Sequence, residues 1–132
     1  MNKPSLIEFD SIGSPSLGYI SVAEQLKNIP FEIARTYWTY YTPQNVKRGG
    51  HANINKELVL VAVAGAITVT TEMQDGYNHT FVLDHPGKGL YVPKLCWHSM
   101  QYSHNAVQMV LASNFYSEED YIRDYKKFKE WI

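Results

Sequence analysis

Disulfide chemistry is closed to this chain. It has one cysteine, Cys96, in 132 residues, so no intramolecular bridge can form. That usage fits a reducing compartment. Long apolar runs are also missing, and none approaches the roughly 18 residues that a membrane span needs. The opening MNKPSLIEFD lacks the apolar core of a secretion signal. Neither sign of charge dominates: 12 basic and 13 acidic residues leave a formal net charge of -1. That balance argues against a broad basic surface for nucleic acid or anionic lipid. No repeat, low-complexity tract or linker breaks the sequence. The expectation is one domain over residues 1–132, cytoplasmic, with neither nucleic acid nor membrane as partner.

What is present is aromatic and β-forming. Aromatic residues make up 14% of the chain, with 10 tyrosines and 3 tryptophans, a composition that suits strands and can wall a pocket for a flat ligand. SLIEFDSI and GYISVAEQ read as strands around a GSPSLG turn. Residues 33–40 alternate Ile33, Arg35, Tyr37 and Thr39 against Ala34, Thr36, Trp38 and Tyr40, a strand with two filled faces. TPQNVKRGGH reads as a loop. ELVLVAVAG has the nearly continuous apolar character of a central strand. AITVTTEM alternates, and the Asp75-Gly76 pair marks a tight hairpin. HTFVL, GLYVP, CWHSMQYS and AVQMVLASNFY supply further strands. This count of short strands predicts an all-β sandwich or jelly-roll barrel.

The tail, SEEDYIRDYKKFKEWI, has a different period. Tyr121, Tyr125, Phe128 and Ile132 fall on one helical face. Ser117 and Asp120 have capping-box-like spacing, acidic residues fill the first turn, and lysines lie toward the far end. A C-terminal helix is predicted over this segment.

Several residues could carry chemistry. His51 ends the stretch VKRGGH, and on a strand it shares a face with Asn53 and Asn55. It reads either as a base at the mouth of the barrel or as a polar rim. His98 lies opposite Trp97 and beside Cys96 and Met100; a histidine there is either a hydrogen-bonded structural residue or part of a site. Trp97 and Met100 read as core or pocket wall. Arg35 interrupts an apolar, aromatic strand and needs an anion. That anion is either an internal carboxylate, such as Glu24 or Glu57, or a phosphate. Arg48 could add a second phosphate contact. Tyr37 shares the face of Arg35 and could hold a sugar hydroxyl or donate a proton, or simply pack. A metal centre is not expected: Asn53 is a poor ligand for a transition metal, and His51 with Glu57 leaves the set one strong ligand short.

The segments NIPFEIARTYW, RGGHAN, GLYVP, CWHSM, VLASNFYSEEDYIRDY and FKEWI together resemble the sugar-nucleotide 3,4-ketoisomerases of the WxcM-like family, within the RmlC-like cupins. The resemblance spans Asn28 to Ile132, and the earlier strands fit it. It implies a jelly-roll cupin that forms a homodimer, often by exchanging N-terminal strands. It implies a dTDP-4-keto-6-deoxyhexose as substrate, a carbonyl moved from C4 to C3 without metal or redox cofactor, and a product that leads to 3-amino-3,6-dideoxy sugars of surface glycans. His51 matches the family's first active-site histidine and would be the base. Tyr37 and Arg35 match its Arg-x-Tyr segment, and His98 a position that lines the sugar pocket. Trp97 and Glu57 are counted with the substrate-binding set, alongside Arg35 and Arg48. The family's second histidine is Asn53 here, which can hydrogen-bond but cannot take a proton at neutral pH. Two alternatives stay open: a catalytically reduced cupin that binds a sugar nucleotide, and a related keto-sugar epimerase.

Overall fold

The computed structural model describes residues 2–132. Among the described residues, twelve strands and one short α-helix follow one another. The strands are β1 (Ser5–Glu8), β2 (Ser11–Ser14), β3 (Gly18–Ser21), β4 (Arg35–Thr39), β5 (Lys47–Asn53), β6 (Leu58–Ala64), β7 (Ile67–Met73), β8 (Asn78–Leu83), β9 (Lys88–Val92), β10 (Cys96–Tyr102), β11 (Val107–Ala112) and β12 (Tyr121–Ile122). The helix, α1, is Tyr125–Glu130. One five-stranded sheet runs β1-β9-β6-β11-β4, and a second runs β12-β5-β10-β7-β8. All of these pairings are antiparallel. This is the expected jelly roll.

The apolar run of β6 places it at the centre of its sheet, between β9 and β11. Its inward residues Leu58, Leu60 and Ala62 meet Val69, Met100 and Tyr102 from the other sheet. Its outward residues Val59 and Val61 pack against Phe9, Ile29 and Phe31, which close over the outer face. Both faces are therefore covered, as a continuous apolar strand requires. Each fully buried aliphatic or aromatic side chain contributes about 1.5–3 kcal/mol. A third, smaller cluster joins Ala52, Ile122 and Phe128 on the outside of β5. Among the described residues no helix is long and apolar enough to cross a membrane.

Two expectations about local structure fail. Lys47 to His51 is strand, not loop. Gly49 and Gly50 have φ of +83° and +72°, and the β10–β5 register slips there: His98 opposes His51 while Ser99 opposes Gly49. Gly50 is thus the extra residue of a bulge, which glycine accommodates and a strand pattern hides. The tail also departs from one long helix. Glu118–Asp120 is a single 3-10 turn. Tyr121 and Ile122 then pair with Asn53 and Ala52 at the edge of β5. The helix starts only after Asp124, whose carboxylate accepts from the Lys127 amide at 3.1 Å. Ser117 makes no side-chain cap bond. Covering the open backbone of β5 outweighs the helical period of Tyr121, because edge hydrogen bonds would otherwise go unpaired.

Candidate active site

The bulge at Gly49–Gly50 sets the direction of His51. A Cβ on Gly49 would meet the His98 carbonyl oxygen at 2.9 Å, so glycine lets β5 lie close to β10 here. Beyond the bulge, alternation resumes. Ala52 turns outward to Ile122 and Phe128, which leaves His51 and Asn53 on the inner face. His51 opens onto a cavity of about 590 Å³ between the two sheets. Arg35, Tyr37, Arg48 and His98 line the same cavity. Five of the eight residues singled out from sequence thus come together.

The histidines are neutral in this setting. Burial pushes His51 down to about 3, helped by His98 and by the cations Arg123 and Lys56. Its ring meets His98 edge to face, with centroids 4.7 Å apart. Burial lowers His98 as well. The His98 Nδ1 lies 3.0 Å from the Cys96 carbonyl; a carbonyl only accepts, so Nδ1 carries the proton and Nε2 is left as an acceptor. The Nδ1 of His51 is buried without a hydrogen-bond partner among the described residues.

Arg35 resolves its own ambiguity. Neither Glu24 nor Glu57 reaches it: the nearest cation to Glu24 is Lys27, at 3.9 Å, and Glu57 accepts from the Tyr91 hydroxyl. The guanidinium instead stacks on Tyr37 at 4.3 Å from the ring centroid, with Tyr116 at 5.5 Å. Its Nη1 is buried and unpaired among the described residues. An arginine held over an aromatic ring with a free nitrogen suits an incoming anion. Tyr37 is raised by burial, so its hydroxyl keeps its proton and can donate.

Three residues named from sequence do not line the cavity. Trp97 alternates against His98 and faces outward, where it packs on Phe128 and Tyr125 with centroids 5.5 and 5.4 Å away. Glu57 sits below the sheet with Tyr91, its amide donating to Ser113 Oγ at 2.8 Å. Asn53 is 2% exposed and more buried than His51, with Nδ2 unpaired among the described residues.

Sequence reasoning missed the wall supplied by the tail. Tyr121 meets His51 edge to face at 4.8 Å, and Tyr116 and Arg123 complete that rim. Arg123 holds Glu118 through Nε at 2.8 Å and Nη2 at 3.0 Å, which brings the exposed Glu118 carboxyl down to about 2. The lost signal was Asp124: read as the helix cap, it frees Tyr121 from the helical face. No three His, Cys, Asp or Glu side chains converge among the described residues.

Comparison with known proteins bears on this site. Residues 2–132 match the family model FdtA, described as WxcM-like, C-terminal. A TDP-4-oxo-6-deoxy-alpha-D-glucose-3,4-oxoisomerase of Aneurinibacillus thermoaerophilus is 43% identical over 119 residues, which is 89% of this chain and 84% of that protein. The crystal structure of a 3,4-ketoisomerase from Helicobacter canadensis superposes with a TM-score of 0.90 at 35% identity, covering 96% of this chain and 95% of that one. The TDP-quinovose 3,4-ketoisomerase from Campylobacter jejuni gives a TM-score of 0.92 at 32% identity, covering 98% and 99%.

Proposed function

The chain belongs to the FdtA, WxcM-like C-terminal family, and from that premise we propose that it is a sugar-nucleotide 3,4-ketoisomerase acting on a dTDP-4-keto-6-deoxyhexose. The reading rests above all on one observation: a neutral, inward-facing His51 shares a cavity with Arg35, whose buried Nη1 has no partner among the described residues.

The chemistry follows from the groups. A proton on C3 is weakly acidic because C4 is a carbonyl. His51 removes it, the C–H electron pair becomes the enediolate double bond, and charge moves onto the C4 oxygen. The hydroxyl proton of C3 then passes to that oxygen. The C3 carbonyl forms as C4 takes a proton from the His51 imidazolium. One proton changes carbon, one changes oxygen, and no electrons leave the sugar. Tyr37 donates to the oxygens as charge develops. Arg35 and Arg48 hold the diphosphate, whose negative charge favours the imidazolium that His51 must become. His98 Nε2 accepts from a sugar hydroxyl. Asn53, which cannot relay a proton, leaves His51 as the single base.

The same reading includes a metal-free reaction in the cytoplasm, one domain over the whole chain, and a product that a 3-aminotransferase and an acyltransferase carry toward 3-amino-3,6-dideoxy sugars of O-antigen lipopolysaccharide. It also includes a homodimer. The β2–β3 hairpin forms its own two-stranded sheet, and it exposes Ile12, Leu17, Tyr19 and Ile20. An apolar arm of this kind supports exchange between two copies.

The test is product analysis by NMR after incubation with dTDP-4-keto-6-deoxyglucose. The 3-keto isomer is expected. Tight dTDP binding without any 3-keto product would replace the isomerase with a sugar-nucleotide binder, and an unshifted carbonyl with inverted ring carbons would make it an epimerase.

A further inference from the structure

The floor beneath Tyr121 holds an unusual group. Lys56 is 1% exposed, and among the described residues no carboxylate lies within ion-pair distance of it. A buried ammonium without a counterion is costly. Its one hydrogen bond among the described residues runs from Nζ to the Tyr121 hydroxyl at 3.1 Å. The ammonium also lies 4.6 Å from the centroid of the Tyr121 ring. Arg123 sits 4.4 Å from the same ring. Tyr121 thus has two cations close to its ring, with His51 in edge-to-face contact.

Lys56 itself does not reach the cavity, whereas Tyr121 lines it. An ammonium has donors only, so the phenol oxygen must accept from it. That leaves the phenol's own O–H free to donate, and Tyr121 lines the cavity. Tyr121 is also the register partner of Asn53, the position where the family resemblance has a second imidazole.

We propose that Lys56 is a positioning residue of this site: its ammonium holds the Tyr121 hydroxyl as a donor into the cavity and, through it, sets a positive charge behind the enediolate oxygen. This rests on the ketoisomerase reading for the identity of the anion. No proton leaves Tyr121 in the step; the hydrogen bond strengthens as charge develops on the sugar oxygen. The same cation adds to burial and to His98 in disfavouring a positive charge on His51 before substrate arrives. The other groups facing His51 are His98 on β10, Tyr37 on β4, Arg48 on its own strand, and Tyr121, Arg123 and Glu118 on the tail.

The experiment combines Lys56→Met, Lys56→Gln and Tyr121→Phe with two readouts. In steady-state kinetics Lys56→Met is expected to lower kcat at least ~30-fold with KM within ~3-fold, the signature of an interaction made in the transition state. In the Tyr121→Phe background the same change is expected to cost less than ~3-fold more, because both act through one hydroxyl. By NMR on the free protein, Lys56→Met and Lys56→Gln should both raise the His51 titration midpoint, the direction that loss of a nearby cation requires, while the non-additivity with Tyr121→Phe is what a merely structural lysine would not produce. The titration needs no substrate, so it tests the charge that Lys56 places near His51 whatever the wild type turns over, while wild-type turnover alone decides the ketoisomerase reading. Should the methionine variant not fold, the glutamine variant carries both measurements. A kcat within ~3-fold of wild type, full multiplication of the losses in the double variant, or a His51 midpoint that stays in place or falls would each overturn the proposal.

Discussion

His51 and His98 stand edge to face with their ring centroids 4.7 Å apart and their planes at 69°. Two imidazoles this close cannot both be charged without strong mutual repulsion. Burial already disfavours either charge. The pair is therefore a neutral one, able to accept protons and hydrogen bonds at physiological pH.

That state has a stability consequence. His51 moves from an ordinary value of 6.5 to about 3 on folding, and His98 moves in the same direction. Between those values the unfolded chain binds more protons than the folded one, so stability rises with pH. The melting temperature should be flat above about pH 7 and fall progressively from pH 6.5 toward pH 4. Thermal denaturation across that range is the measurement. His51→Asn should flatten part of the slope, and a slope unchanged by that substitution would mean His51 is not the group responsible.

Phosphate recognition gives the second prediction. Arg35 stacks on Tyr37 with Nη1 unpaired, whereas Arg48 is exposed at the rim. Calorimetry should show Arg35→Ala weakening dTDP binding at least ~10-fold, and Arg48→Ala weakening it less, since exposed charges are screened. Affinity in the wild type should fall with added salt. Unchanged affinity in both variants would move the diphosphate elsewhere.

The hairpin yields a third. Leu17 is 88% exposed at its tip, and a groove of about 500 Å³ lies beside the hairpin, lined by Tyr19, Val61, Val63 and Met109 among others. A dimer that uses these surfaces should dissociate when Leu17→Asp and Ile20→Asp place two charges on the arm. Light scattering at micromolar concentration should give a dimer for the wild type and a monomer for the double variant. A monomeric wild type would remove the exchange of strands.

How far the sequence carries this depends on which interactions decide each element. The alternation of Cys96 to Met100 correctly separates His98 from Trp97, because strand periodicity is a backbone property. The continuous apolar run of β6 likewise signals its central place. The bulge at Gly50 is invisible to periodicity, since it exists only against the partner strand β10. Tyr121 is lost for a similar reason. Its spacing to Tyr125 and Phe128 satisfies a helix, and only the vacant edge of β5 makes it a strand. Trp97 and Glu57 show the opposite error. Proximity in sequence to His98 and Asn53 suggests a shared site, but the alternation of the strand and the Tyr91 hydroxyl take them out of it.

Metal removal is the fourth prediction. Imidazole and carboxylate groups that could bind a transition metal do not gather in threes among the described residues, and an amide at Asn53 adds a weak ligand. Activity should survive dialysis against a chelator with kcat unchanged. Loss of turnover that one divalent metal restores would overturn this.

The last prediction concerns His51 and Asn53 together. Both lie on the inner face of β5, and only His51 reaches the cavity. If His51 is the single base, His51→Asn should lower kcat at least ~100-fold while dTDP affinity stays within ~3-fold, because the diphosphate contacts proposed for Arg35 and Arg48 do not involve it. Asn53 is 2% exposed with its amide nitrogen unpaired, and such a group destabilises the fold relative to a bonded one. Asn53→His would restore a second imidazole next to His51. Its charge would be opposed by burial and by Lys56, which is itself buried nearby, so it too should stay neutral. An imidazole reaches farther than the carboxamide it replaces; where it extends into the cavity, a neutral second imidazole can shuttle the hydroxyl proton between the C3 and C4 oxygens, and kcat should rise by about 3-fold or more. Isotope exchange separates the two roles. In deuterated solvent His51→Asn should abolish label uptake at the sugar carbons, whereas Asn53→His should speed turnover without changing the carbon that is labelled. If His51→Asn keeps full activity and label uptake, the base is another cavity residue, and Tyr37 or His98 takes its place.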